Sequence, residues 1–340
     1  DALPVEATAV NKKYDGNAYG VSASANEPDG TTIRYSLTNS TNPANFTLET
    51  SPVATHVGES KTVYFVATNP NYAPAFGSAE ITITPRQVTL TAATESRVYN
   101  GNTLTNATVT RTGDEFLGTD GFAVQPTTSG SIKDVGSVSN NVVAGTLNGT
   151  TQASDYVFTP VAGTLTVTKA TLTVQADDQQ IAFPADRPAN ASLTYTLVGG
   201  NVSGETPAYS GSLGYDSALA DDPLMPNTYT DAIVGGTLGL LNSSTFKAAN
   251  YDLVVLPGNL EVLNGGFTVD LTGGSWTYDG HEHGTTLTNT LPTDTIEYFV
   301  PDGHGGWTST GTTPPTVTDV DDGPLTVKVV VTREGYDPTE

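Results

Sequence analysis

The chain has 340 residues, 36% of them hydrophobic, and its 36 acidic against 13 basic side chains give a formal net charge of −23. A polyanion of this kind is repelled by phosphate backbones and by anionic lipid, so neither nucleic acid nor a membrane surface is an expected partner, and no apolar run approaches the roughly 18 residues of a spanning helix. Zero cysteines exclude disulfides, thiolate catalysis and cysteine-based zinc sites.

Thr, Ser, Asn, Gly and Val dominate the composition, and good helix formers seldom cluster, which is the palette of short strands joined by turns. In chain order, period-two alternation appears in "VEATAV", "TIRYSL", "TVYFVA", "EITIT", "VTLTA", "TLTVT", "TLTVQA", "LTYTL" and "TVKVVV". Clusters of Gly, Pro, Asn and Asp separate these runs. An all-β chain is expected, with five to seven strands per repeat.

The repeat is marked by an aromatic residue followed by Asx-Gly. Tyr14-Asp15-Gly16 returns as Tyr99-Asn100-Gly101 and as Tyr278-Asp279-Gly280, with Phe183 of "IAFPADRP" holding the third of four positions. A second aromatic marker follows each first one, at Tyr72, Tyr156, Tyr251 and Tyr336. The common spacing divides the chain into four modules, 1–85, 86–169, 170–264 and 265–340. By the same ruler the last module ends near position 349, so its final strand is expected to be missing. The Asx-Gly pair supplies the positive φ of a tight hairpin, with the preceding Tyr lying over the core edge.

Modules one and four pair "TTIRYSL" with "DTIEYFV", and modules two and three pair "SGSI" with "SGSL" and "AGTL" with "GGTL". "HVG" at His56 and "DVG" at Asp134 resemble the corner before the penultimate strand of an immunoglobulin-like sandwich. A β-grasp unit is the alternative, and its helix has one place, the acidic insertion "SALADDPLMP" of module three. The Tyr-Asx-Gly marker, the "NY" marker and the closing "GTLTVTKA" together resemble the MBG and YDG-type repeats of bacterial surface proteins and adhesins. Modules two and three are the most similar, and one and four look like bacterial immunoglobulin-like repeats. The resemblance implies an exported, cell-surface protein that needs no cofactor, is tied to the cell wall through other parts of a parent protein, and meets an extracellular protein or glycan. The short junctions, where one strand pattern runs almost directly into the next with no long Gly/Ser linker, then imply a monomeric rod on the order of 130 Å. No Asp or Glu sits in sequence at the junctions, so calcium is not expected to stiffen them.

Candidate sites concentrate in module four. His281 and His283 share a strand face if extended, and with His304 they offer a zinc set. The alternative is that they are exposed turn residues. Trp276, Trp307 and Tyr278 offer flat apolar faces to a sugar ring, or else Trp276 belongs to the core and Trp307 to a hairpin. "DVDDG" at Asp319–Gly323 lacks the alternating ligands and closing Glu of a calcium loop. With no nucleophile elbow, phosphate loop or His-Glu-x-x-His pattern, no enzyme is expected.

Overall fold

The computed structural model describes residues 3–26 and 29–340; Asp1, the assigned start of the first module, lies outside them. Two compact units form, Asp1–Lys169 and Ala170–Glu340. Both are built from strands, and among the described residues the only helices are single 3-10 turns of three residues each. The acidic insertion is therefore not the helix that a β-grasp unit requires. Its segment instead buries Leu224 and pairs Asp222 with Arg187 at 2.9 Å.

In the first unit, residues 5–84 form a four-stranded sheet in the order Val10–Lys13, Tyr72–Thr84, Lys61–Asn69 and Thr32–Ser36. Alternation drives the long hairpin of this sheet. Val63, Phe65, Ala67, Ile81 and Ile83 are buried on one face, while the alternate positions Thr62, Tyr64, Val66, Phe76, Ser78 and Glu80 take the other, as period-two side-chain direction demands. Phe65 sits opposite Gly77, and a Cβ on Gly77 would meet the ring at 2.4 Å. That glycine is therefore a seat for the aromatic ring.

Residues 86–168 form two three-stranded sheets, Val109–Gly113/Arg86–Ala92/Tyr156–Val161 and Glu95–Val98/Gly163–Thr168/Gly136–Asn140. The first strand breaks at Ala93 and Thr94 and changes sheet. Fully buried Asn140 pins the break, donating from Nδ2 to the carbonyls of Ala93 (2.9 Å) and Asn106 (3.0 Å). This satisfies two backbone acceptors that leave the ladder, a burial that would otherwise be costly.

The second unit repeats this plan over 170–263. Ala170–Ala176 pairs in parallel with Tyr251–Leu256, and Gln179–Ala182 in parallel with Gly258–Leu263. Residues 265–340 carry a three-stranded sheet, Trp307–Gly311/Thr295–Pro301/Lys328–Thr332, and two short ladders.

The structure corrects the role of the Tyr-Asx-Gly marker. The strand before it does not form a hairpin with the residues after it; it pairs in parallel with the last strand of its own segment, at Lys13↔Thr84, Val98↔Thr168 and Ala182↔Leu263. The marker's N–H then closes that ladder, from Tyr14 to the Thr84 carbonyl (2.9 Å), from Tyr99 to Thr168 (2.8 Å) and from Phe183 to Leu263 (2.9 Å). Beyond it the Asx carboxylate or amide accepts the N–H two residues on, Asp15 from Asn17, Asn100 from Asn102 and Asp279 from His281. Gly16, Gly101 and Gly280 take φ near +80°, which a residue with a Cβ adopts only at a cost. The marker is an Asx turn that leads the chain away from a completed parallel ladder.

Candidate functional site

Within the first unit, the ladders of 5–84 and 86–168 stay separate, with Pro85 alone between them, yet their buried side chains join in one cluster. Tyr14, Val21, Ala54, Ile81 and Ile83 are continuous with Val88, Leu90 and Tyr156. At the centre of this joint Tyr14 meets Tyr156 edge-on, with ring centroids 5.9 Å apart at 80°. Both phenols reach one carboxylate oxygen of Asp120, Tyr156 donating at 2.7 Å and Tyr14 at 3.4 Å. Burial first, and then the Asp120 carboxylate, push the Tyr156 phenol up to about 12 against the partial relief of the Leu117 N–H.

Beside the rings lies Asp155, whose side chain is fully buried. Its carboxylate accepts the Val57 N–H at 2.8 Å and faces His56 Nδ1 at 2.6 Å. His56 begins a 3-10 turn, His56-Val57-Gly58-Glu59, whose Glu59 carboxylate accepts the N–H groups of Thr55 and His56. Arg86 donates to the Tyr14 carbonyl (3.1 Å), and Lys13 reaches Asp114 (2.9 Å). Acids therefore do sit at this joint in space. They escape a reading of the sequence because Asp114, Asp120 and Asp155 are far from Pro85 in the chain, and all three engage protein donors.

The same logic joins the two halves of the second unit at Asn264. Phe183 meets Tyr336 edge-on at 5.1 Å and 82°. Gly265 and Gly335 bond through their backbones at 2.9 Å, and Asn264 donates to Asp337 at 2.9 Å. Gly335 is required here, since a Cβ would meet the Phe183 ring at 2.7 Å. In both units, then, the first marker of one segment packs on the second marker of the next. Behind Tyr336, Arg333 lies over Phe267 (4.3 Å) and clasps Asp294 at 2.7 and 2.8 Å. The guanidinium holds the Asp294 carboxyl down at about 2.

The aromatic and histidine candidates of 265–340 do not assemble as the sequence suggests. Trp276 and Tyr278 are 47% and 61% exposed, whereas Tyr14 and Tyr99 are 7% and 5% exposed. Trp276 neither enters the core nor presents two free faces. Its ring stacks on His283 at 4.9 Å and 13° and folds back over Gly274. His283 Nε2 lies 2.9 Å from Asp279, the carboxylate that accepts the His281 N–H; these contacts, His281 first, keep that acid below its usual range. His304 belongs to a different turn, where Asp302 accepts its N–H at 2.8 Å. Among the described residues no three His, Asp or Glu side chains group as a metal would require, so the zinc set is not formed. Trp307 lies on its hairpin strand with Lys328 Nζ 5.8 Å from its ring.

Trp276 and Tyr278 do line a cleft of about 370 Å³, opposite Val320, Leu325 and Val327. Thr285 Oγ1 on its wall is buried without a hydrogen-bond partner. Asp319–Gly323, far from being a calcium loop, is a 3-10 turn of the His56 kind, with Asp322 accepting the N–H groups of Thr318 and Asp319.

No family model matches the chain, and no curated protein matches it. Solved structures that resemble it include the extracellular cadherin domains 3–6 of protocadherin gamma B2, at 12% identity over 98% of this chain and 96% of that one, with a TM-score of 0.24. A Ca2+-stabilized adhesin described as helping an Antarctic bacterium reach out and bind ice is 13% identical over 99% and 100% of the two chains, with a TM-score of 0.23. The Bacteroides ovatus SGBP-B protein, solved with a mixed-linkage heptasaccharide, is 10% identical over 94% and 87%, at 0.16. Likenesses this slight carry no argument about activity, and the functional reading rests on the residues.

The joints make two outcomes testable. Asp155→Ala leaves the Val57 N–H and His56 without their acceptor and lowers the stability of the joint by about 1.5–3 kcal/mol, read as faster amide exchange at Val57 and its neighbours; Asp155→Asn, which keeps an acceptor, loses less. The depressed Asp294 carboxyl contributes stability that is complete above about pH 5 and is lost as pH falls through 4 toward 2. Both tryptophans lie in 265–340, so the Tm monitored by their fluorescence falls across that window, and falls less steeply in Asp294→Asn.

Proposed function

We propose that this chain is a non-catalytic repeat region of an exported bacterial surface protein, four β modules over 1–85, 86–169, 170–264 and 265–340, that acts as a stalk or spacer holding a binding region away from the cell. The observation that carries the reading is the joint at residue 85. A single-residue tether combined with a shared apolar cluster and a buried carboxylate gives little freedom to bend, which is the property a spacer needs and a flexible linker lacks. The second joint, Phe183 on Tyr336, supports it with the same marker-to-marker contact. The resemblance of the markers to MBG, YDG-type and bacterial immunoglobulin-like repeats supports a cell-surface setting, with the wall reached through a parent protein.

Small-angle scattering of the full chain tests it. A rod on the order of 130 Å gives a radius of gyration of about 38 Å, against about 20 Å for a compact globule of this length; a value near the lower figure overturns the spacer reading.

A second reading, glycan or glycoprotein binding by module four, draws on the exposed Trp276 and Tyr278 at the cleft, with Trp307 on a separate surface. Removing residues 265–340 abolishes adhesion to a glycan surface if that module makes the contact. Binding that survives the deletion, or is lacking in both chains, leaves the spacer reading alone.

A further inference from the structure

A hollow of about 490 Å³ opens in residues 86–168 beside the edge strand Val109–Gly113, lined by apolar Leu90, Val109 and Phe122 and by polar Thr108, Arg111 and Gln125. Arg111 stands on the core-facing side of its strand, since it pairs with buried Leu90 as Val109 pairs with buried Ala92. Its guanidinium lies over Phe116 at 4.8 Å and meets one carboxylate oxygen of Glu115 at 2.8 Å. The Glu115 side chain is 75% exposed, so this ion pair contributes little and exchanges readily for another carboxylate. Thr108 and Gln125 are exposed, and among the described residues their side chains bond no protein group.

The internal repeat shows what opens the hollow. Ala170–Ala176 matches Arg86–Ala92, because Ala170 pairs in parallel with Tyr251 as Arg86 does with Tyr156. Across to its own edge strand, Ala176 pairs with Tyr195 and Val174 with Leu197. Tyrosine and leucine therefore occupy the rungs that Val109 and Arg111 hold in 86–168, and the Tyr195 ring closes edge-on against Tyr209 with centroids 5.2 Å apart. Where one segment places a tyrosine, the other places a smaller valine beside a cation, and the space so left is the hollow.

We propose that this hollow binds a sugar acid, one pyranose ring carrying a carboxylate, presented as a residue of an acidic glycan. The carboxylate takes the place of Glu115 on the Arg111 guanidinium, whose planar fork suits two-point pairing. The apolar face of the ring rests on Val109 and Phe122, and its hydroxyls meet Thr108 and Gln125, the division of labour usual in small-molecule pockets. An apolar acid leaves Thr108 and Gln125 unmatched, and a neutral sugar leaves Arg111 with Glu115. Residues 86–169 hold five basic against six acidic side chains in a chain of net charge −23, so an anion meets less repulsion here than over the molecule as a whole. The site lies outside residues 265–340 and stands apart from both the spacer reading and glycan binding by module four.

The test titrates the full chain with glucuronate, glucose and benzoate at constant ionic strength and follows the backbone amide resonances of Val109–Gly113 and Phe122–Gln125 by NMR. Glucuronate is expected to give saturable shifts there, with glucose and benzoate bound about tenfold more weakly for want of a charge-assisted or a hydroxyl contact. Arg111→Gln loses the preference for glucuronate over glucose, and Val109→Tyr, which installs the residue of the repeat, loses the binding of both. Absence of saturation with glucuronate, equal affinity for glucose or benzoate in the parent chain, or unchanged glucuronate binding in either variant overturns the proposal. The comparison of ligands on the parent chain holds even where a variant fails to fold. Shifts produced by an acidic peptide and not by glucuronate assign the hollow to a protein partner and overturn it as well.

Discussion

One parallel rung closes three segments of this chain. The N–H of an aromatic residue bonds the last carbonyl of the segment's final strand, at Thr84, Thr168 and Leu263, immediately before the chain passes on. Because the first strand is tied to the last one, each segment closes only when its far end has returned, and the place of departure is set beside the first aromatic marker. The Asx turn after the marker lets the chain leave this rung without disturbing it, and glycine at φ near +80° makes the turn at small steric cost.

Closure at that point governs the joints. Since the chain exits beside the marker, the next segment begins within reach of the marker ring, and within each unit the ring is met by the second marker of the succeeding segment. Tyr14 meets Tyr156, and Phe183 meets Tyr336. An edge-on aromatic contact adds about 0.5–1.5 kcal/mol to the area it buries and fixes direction better than aliphatic packing does. Around Tyr14 the contact is flanked by polar groups that are satisfied only when both segments are present, above all the Asp155 carboxylate against His56 and the Val57 N–H. Bending at this joint would leave those groups unpaired, so the contact resists bending between the two segments of the first unit.

The last segment shows the same parts differently arranged. Its marker Tyr278 and its turn residue Val320, the counterparts of Tyr14 and Val57, are exposed and line a cleft. Of the aromatics that look like a sugar platform in one dimension, Trp276 has His283 stacked on one face, and Trp307 lies on a separate hairpin strand.

Much of this was legible in the residues themselves. Period-two alternation fixes the strands because side chains on a pleated strand point to opposite faces, and the Tyr-Asx-Gly spacing locates the repeat because a positive φ has few tenants besides glycine. Only the tertiary structure decided which partners these local signals find. A strand ending in Tyr-Asp-Gly serves a hairpin or a parallel ladder equally well, and only the return of Tyr72–Thr84 selects the second. Asp155 and His56 are 99 residues apart, and nothing local to either one tells that they meet at a joint. The histidines of "HEH" and His304 are close in composition but separated by turn geometry. Local conformation is written by short-range sterics and periodicity, whereas pairing across a sheet or a joint depends on the closure of long loops, whose outcome no short stretch of sequence contains.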